Sequence, residues 1–497
     1  MDEYTREAVT ISLDLPGNMQ ITPVLELDAV TDGLKIDMDT TGARDTLRAS
    51  YITVAGSQEW ECPGWISTQA LIVTIPAGVR IKEIYYRQSG YPAEQAGVFS
   101  CDDESLNQLW QESFNTLCIC MRDNFMDCPD RERAQWWADV TSQMHEMFYT
   151  LDSRAELLYR KGVDTVIGWT SQDPSDTFYH VLKTVVPSND EIAELPQQEL
   201  YGIVGFWLYY LYTGQKDFLY EVYQPAVDYL KLWEMGTDGL VRHRDGTWDW
   251  SDWGNNQDST VLENAWYYWC LTTLEKMAGV LGMEEPWLRE TADTVAAGYE
   301  SLWVDGAGYT TTAVPDDRGN ALAVLSGLAP ASRYPVILGV LQNTFKASAY
   351  MEVYVLRAMC AMGYVSEALD RMQSRYGNMV SVNQEKGIST LWEYFEEGMG
   401  TYNHAWSAGG VYLLPAWVGG VRPTAPGWET CVIAPDFSHS DRVSVTVSTV
   451  KGIISVSGTA QALEITLPEG VTAEVQLPGL EPRTVSGAGT HTVEITH

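Results

Sequence analysis

The chain has 497 residues, 45% of them hydrophobic, and a formal net charge of −36. It is long enough for two to four domains with sizeable cores, and its charge argues against nucleic acid or an anionic membrane surface as a partner. No apolar run approaches bilayer length; the best, Ile203 to Leu211, is interrupted by Gly205.

The start, Met-Asp-Glu-Tyr-Thr-Arg-Glu, lacks the charged and apolar regions of a secretory signal, which predicts a cytoplasmic protein. Eight cysteines (Cys62, Cys101, Cys118, Cys120, Cys128, Cys270, Cys360 and Cys431) show no paired C-x-x-C spacing, so reduced, mostly buried thiols are expected.

Residues 1–98 read as a β-sandwich. Val9–Leu15, Leu34–Met38 and Ile81–Tyr86 alternate or are rich in β-formers, and Pro-Gly, Asp-Gly and Ala-Gly turns separate such runs. Near Ser100 the period changes. Residues 99–421 carry about twelve helical segments, predicted at 103–122, 131–150, 153–167, 197–213, 216–235, 259–281, 285–303, 319–328, 332–343, 348–362, 364–376 and 403–416. Twelve helices in one unit suggest an (α/α)6 barrel, a toroid of six helical hairpins with its site where loops converge; other all-helical stacks stay open. From 422 to 497 the period returns to two, in Val443–Ser448, Gly452–Ser457, Leu463–Leu467 and Ala473–Leu477, which predicts a C-terminal β-sandwich.

The densest chemistry lies in Phe125-Met-Asp-Cys-Pro-Asp-Arg-Glu-Arg-Ala-Gln-Trp-Trp-Ala-Asp139. Asp127 and Pro129 read as a helix start, so that Arg131 onward would be helical. Glu132, Trp136 and Asp139 then share one face, while Trp137 points about 140° away, into core. Crowding by Asp127, Asp130 and Asp139 with burial against tryptophan would raise the Glu132 pKa; the helix N-terminus and the arginines push the other way, and the sign stays open. The alternative is a charged helix start with ordinary capping acids. Cys128 sits among acids that disfavour a thiolate.

Two further stretches stand out. Trp248-Asp-Trp-Ser-Asp-Trp-Gly254 places Trp250, Asp252 and Trp253 in a loop between helices, either as ligand contacts or as a hydrophobic plug. Gly387-Ile-Ser-Thr-Leu-Trp-Glu-Tyr-Phe-Glu-Glu-Gly398 wedges Glu393 between aromatics, where a carboxylate is either functional or a structural cap. A closed toroid brings its last hairpin beside its first, so Glu132 and Glu393 could flank one tryptophan-lined pocket, an arrangement suited to glycoside hydrolysis. No phosphate-cradling glycine loop is present, and His145-Glu146 lacks the second histidine of a zinc helix; no cofactor or metal is expected.

The Asp-Cys-Pro-Asp-Arg-Glu-Arg run with Trp136 and Asp139, the Ser389-Thr-Leu-Trp-Glu393 segment, Asn403-His404 and the Arg422-Pro-Thr-Ala-Pro-Gly-Trp428 transition resemble the inverting α-L-rhamnosidases of glycoside hydrolase family 78 along the whole chain. The resemblance implies an (α/α)6 catalytic barrel between two β-sandwiches. It implies Glu132 as general acid and Glu393 as general base, with Asp127, Arg131 and Asp139 holding sugar hydroxyls, Trp136 walling the pocket and His404 contacting the sugar. The run is one residue shorter between arginine and acid than in many members, which leaves Glu132 or Asp130 as the acid; the seven-residue step from Glu132 to Asp139 favours Glu132. The expected substrate is a rhamnoside or rhamnose-bearing oligosaccharide. Another inverting glycosidase on the same barrel and a silent glycan-binding protein are the alternatives. A homodimer is compatible with the sequence, which does not specify oligomeric state, aglycone, linkage or calcium.

Overall fold

The structure, a computed structural model, describes residues 3–41, 49–188, 192–255, 257–477 and 479–494. The N-terminal sheet is organised on β1 (Val9–Ala29), with β2 (Lys35–Thr40), β3 (Ala49–Ile52), β4 (Gly56–Glu61), β5 (Ile66–Ile75) and β6 (Val79–Gln88) around it. The first half of β1 pairs antiparallel with β5, and the second half with β4 and β6. The long strand thereby passes between two layers that enclose a core containing Ile21, Leu25, Met38 and Val73.

The expected Pro-Gly turn after Leu15 is instead a register shift between Asp14 and Met19, within one continuous strand. A proline without an N–H is tolerated where ladder pairing lapses. This bulge reaches the helical domain: the Asn18 amide donates to Ser389 Oγ at 2.9 Å.

Among the described residues twelve α-helices follow: α1 (Glu104–Ile119), α2 (Trp137–Thr150), α3 (Arg154–Trp169), α4 (Pro196–Thr213), α5 (Lys216–Leu230), α6 (Ser259–Leu281), α7 (Pro286–Glu300), α8 (Asp317–Ser326), α9 (Tyr334–Asn343), α10 (Ala349–Ala361), α11 (Val365–Lys386) and the short α12 (Gly410–Leu413) with a π-helical turn, Leu414–Val418. Burial alternates along the chain. The even-numbered helices α2, α4, α8 and α10 are buried almost all round, whereas α3, α5, α7 and α9 bury one stripe. Helices of the first kind form an inner ring and those of the second an outer one, with α2, α4, α6, α8 and α10 packed in succession and α12 returning to α2. Close inner packing needs small residues: a Cβ on Gly202 of α4 would lie 1.9 Å from the Trp137 indole nitrogen, so glycine there lets Trp137 enter the core.

A short hairpin, β8 (Trp303–Val304) and β9 (Gly308–Tyr309), joins α7 to α8. The C-terminal unit has two sheets, one of β10 (Val421–Pro423), β11 (Thr430–Ile433), β15 (Thr472–Val475) and β16 (Arg483–Ser486), the other of β12 (Arg442–Thr449), β13 (Gly452–Thr459), β14 (Ala462–Leu467) and β17 (Gly489–Glu494). The second sheet takes its edge strand, β7 (Val98–Cys101), from the start of the helical segment, with Val443 opposite Cys101. The strand at the expected 98/99 boundary thus completes the far sandwich, because its alternating Phe99 is needed in that core.

No helix among the described residues is long and apolar enough to cross a membrane, and all eight cysteines are free.

Candidate active site

The N-terminal ends of the inner helices converge on a cleft of about 400 Å³ lined by Asp127, Arg131, Glu132, Trp136, Asp139, Leu195, Gln198, Trp248, Trp250, Trp253, Glu393, His404 and Trp406. Helix N-termini carry partial positive charge, which suits a site crowded with carboxylates.

The run expected to begin a helix at Arg131 does not. Residues 127–136 form a closed loop: the Asp127 amide donates to the Ala134 carbonyl and the Ala134 amide donates back to Asp127 Oδ1, both at 3.0 Å. Asp127 therefore closes a turn instead of capping a helix, and Arg133 takes a left-handed φ of 55° that a continuing helix forbids. Arg133 is held there by its Nε bond to the Pro129 carbonyl, 2.8 Å, and by stacking over Trp65, which precedes β5 of the N-terminal sheet, 3.6 Å to the ring centroid. Helix α2 starts at Trp137, with the Ala138 amide donating to Gln198 Oε1 of α4. Glu132, Trp136 and Asp139 are not on one helix face, yet the loop and the first turn of α2 bring all three to the same cleft.

Glu393 enters from the segment between α11 and α12. Its amide donates to the Thr401 carbonyl, the Thr401 amide donates to its Oε2, both at 2.9 Å, and the Trp406 indole donates to its carbonyl at 3.0 Å. Gly400, at φ 63°, allows this closure; a Cβ there would lie 2.4 Å from Glu393 Oε2. Arg131 lies between the two glutamates, donating from Nε to Glu132 at 2.6 Å and from Nη2 to Glu393 at 3.2 Å. One guanidinium touching both keeps their nearest oxygens within about 8 Å. The side chains differ in access: Glu132 is 31% exposed and Glu393 3%.

Burial pushes the Asp127 carboxyl well above its ordinary value, and the neighbouring charges of Glu132 and Asp139 add to it. Burial also acts to raise Glu132, but hydrogen bonds from Asp127 and Arg131 outweigh it, so Glu132 is held low. The two carboxyls are therefore shifted in opposite directions, with Asp127 the one that holds a proton more tightly. Asp139 is pushed well up by burial and by the Glu393 charge. His404 stacks on Trp406 at 4.0 Å between centroids and lies between Asp127 and Asp139, with Nε2 4.0 Å from the former and Nδ1 3.5 Å from the latter. Burial pushes it down to about 3, so it is a neutral imidazole.

Of the residues expected from the sequence, Asp252 is the one held back from the cleft wall. It is 2% exposed, accepts from the Ser348 amide at 2.9 Å and from Arg318 Nη1 at 3.2 Å, and also bonds the Ser348 hydroxyl. Arg318, fully buried, binds Asp316 and the Trp253 and Asn255 carbonyls as well, so this cluster is the frame of the tryptophan loop. Replacing Arg318 by methionine leaves Asp252 and Asp316 without their cation; a loss of about 3–5 kcal/mol in urea unfolding is expected.

Trp248, Trp406, Leu195 and Gln198 also line the cleft and were not singled out by sequence. Trp248 and Trp406 lie within or beside the flagged stretches. Leu195 and Gln198 have no local signal.

Asp127, Cys128 and Glu132 form one three-residue group among the described residues with ligand atoms within 4.8 Å of one another.

An inner and outer ring of helical hairpins with opposed carboxyl groups in an aromatic cleft at one mouth is the architecture of the six-hairpin glycosidases. The chain belongs to the bacterial α-L-rhamnosidase family: residues 94–418 match its six-hairpin glycosidase domain and residues 420–492 its C-terminal domain. It is 23% identical over 429 residues to an α-L-rhamnosidase of Streptomyces avermitilis, a match covering 79% of this chain and 40% of that protein. Its fold is similar to a family 78 rhamnosidase of Bacillus sp. GL1 (TM-score 0.84, 24% identity, 96% of this chain and 54% of that one). It is also similar to the Streptomyces avermitilis α-L-rhamnosidase complexed with L-rhamnose (TM-score 0.80, 16% identity, 99% and 52%). The chain thus spans about half the length of these relatives.

Proposed function

We propose that this chain hydrolyses terminal α-L-rhamnose from small-molecule rhamnosides or oligosaccharides by single displacement with inversion. The observation that carries this reading is the placement of Glu132 and Glu393 on one aromatic-walled cleft, joined through Arg131. The family's description and the L-rhamnose in the Streptomyces avermitilis relative support the choice of sugar.

In this mechanism Glu132, the more exposed carboxyl, protonates the departing glycosidic oxygen. Its proton comes from the pair it forms with Asp127; bound sugar draws Arg131 onto its hydroxyls and returns the shared proton to Glu132. Glu393, held by Thr401, deprotonates a water on the opposite ring face. Inverting pairs stand about 6.5–9.5 Å apart and retaining pairs about 5–5.5 Å; the upper limit set by the shared guanidinium admits both spacings, and the choice of inversion rests on the family likeness. Neutral His404 and protonated Asp139 donate to or accept from ring hydroxyls, and Trp136 and Trp250 offer an apolar wall to the C6 methyl. Glu132, not Asp130, fits the acid role, because Asp130 is 1% exposed and accepts from the Asn403 amide nitrogen at 2.5 Å.

Proton NMR of p-nitrophenyl α-L-rhamnopyranoside turnover tests this reading. Prompt β-L-rhamnose is expected before mutarotation. Prompt α-L-rhamnose would replace inversion by retention, turnover of only another glycoside would replace the sugar, and silence on every glycoside would leave a glycan-binding protein.

A further inference from the structure

The chain has 31 basic and 67 acidic residues, so a cation without an acidic neighbour is uncommon. Arg154, Arg244, Arg318, Arg333 and Arg371 each contact a carboxylate. Arg357 of α10 and Arg422 of β10 form no ion pair among the described residues. Arg357 lies over Trp269, 5.7 Å from its centroid; Arg422 stacks on Trp417 at 3.9 Å and donates to the Ala416 carbonyl.

Both arginines line one cleft of about 470 Å³ together with His145, Tyr149, Tyr412 and Trp417. These residues belong to the C-terminal halves of α2, α10 and α12, to the turn after α12 and to β10. Asp139 and Tyr149 are ten residues apart on α2, about 15 Å. The cleft is therefore the mouth of the toroid opposite the active site.

His145 adds a third polar group. It is 2% exposed, its Nδ1 lies 3.0 Å from the Tyr212 hydroxyl, and its ring stacks on Tyr412 at 4.9 Å. Its Nε2 is buried with no hydrogen-bond partner. The direction of the Nδ1 bond to Tyr212 depends on the tautomer; in the neutral tautomer whose Nδ1 accepts, Nε2 carries the proton and has a donor to spare. Burial favours that neutral form.

The carbonyl ends of the inner helices bring partial negative charge to this mouth, and the arginines offset it. Two full cations exceed that partial charge. Arg422 gives one N–H to a carbonyl and Arg357 gives none to a described group, so most of their donors have no protein acceptor.

We propose that this cleft binds a small oxyanion, a carboxylate or a phosphate, between Arg357 and Arg422, with His145 Nε2 as a further donor. Planar guanidinium groups match such oxygens two at a time. The Tyr149, Tyr412 and Trp417 rings favour an anion carried on a flat apolar body.

The test is calorimetric titration of the full chain with sodium benzoate and, separately, inorganic phosphate at constant ionic strength. Saturable binding of at least one anion with Kd below about 10 mM is expected. It should weaken at least tenfold in Arg357→Met and in Arg422→Met. Tighter benzoate assigns an organic carboxylate, tighter phosphate a phosphate ligand. Circular dichroism melting identifies a variant that fails to fold; Arg357→Met, which loses no hydrogen bond to the protein, keeps the test decisive if Arg422→Met does so. No saturation by either anion, or equal binding by folded variants, would overturn the proposal.

Discussion

Replacing Glu393 by glutamine is expected to lower the turnover of p-nitrophenyl α-L-rhamnopyranoside by about 10²–10⁴-fold, the range for loss of a general base. The substitution keeps the side-chain shape beside Gly400 and an acceptor for the Thr401 amide, so the segment from Leu391 to Thr401 stays in place. What it removes is the basicity needed to take a proton from water, and the charge facing Arg131. The loss should appear in kcat with the melting temperature close to that of the parent. Turnover near that of the parent would remove Glu393 from the base role.

Glu132→Gln has a different signature, because an acid is needed in proportion to how poorly the leaving group departs. With a rhamnosyl disaccharide, whose leaving alcohol must be protonated, a loss of about 10²–10⁴-fold is expected. With p-nitrophenyl rhamnoside, whose phenolate leaves readily, the loss should be at least tenfold smaller. Equal losses on both substrates would sink the acid assignment. The pH profile gives a second readout. Burial and neighbouring charge keep one proton on the Asp127 and Glu132 pair. Activity therefore falls as pH rises through the pair's raised pKa and its last proton is lost. In Glu132→Gln that alkaline limb should disappear for the aryl substrate.

The shortening of the motif also has a structural reading. Between Arg131 and Trp136 the loop turns back through Arg133, whose left-handed backbone is secured by Trp65 from a different domain. Spacing along the chain suggested a helix because Asp127 and Pro129 are good helix starters. The actual choice was made by contacts more than sixty residues distant, which no local propensity contains.

Much of the architecture was nevertheless legible. The period change near Ser100 and again near Arg422, and the apolar runs of α4 and α6, follow from local burial patterns that repeat along an element. Helix α11 was expected to stop near 376 but runs to Lys386 and ends where Gly387 takes a left-handed φ of 66°. Its polar second half weakened the periodic signal, while the glycine marked the true end. The Asp127–Asp139 run and the Trp392-Glu393 segment were recognisable because carboxylates beside tryptophans are costly to bury without a purpose.

The sequence by itself therefore indicated most of the elements, their order and the family likeness, and it singled out two candidate carboxylates, since each is written in residues close together in the chain. Only the tertiary structure decided that one arginine would bridge those carboxylates, that Asp252 would serve Arg318 instead of the cleft, and that Leu195 and Gln198 would line it. It also decided that Val98–Cys101 would complete a sheet more than three hundred residues away. The physical reason is common to all four. Hydrogen bonds, ion pairs and strand edges are satisfied by whichever partner the closed toroid brings near, and closure is a property of the whole chain.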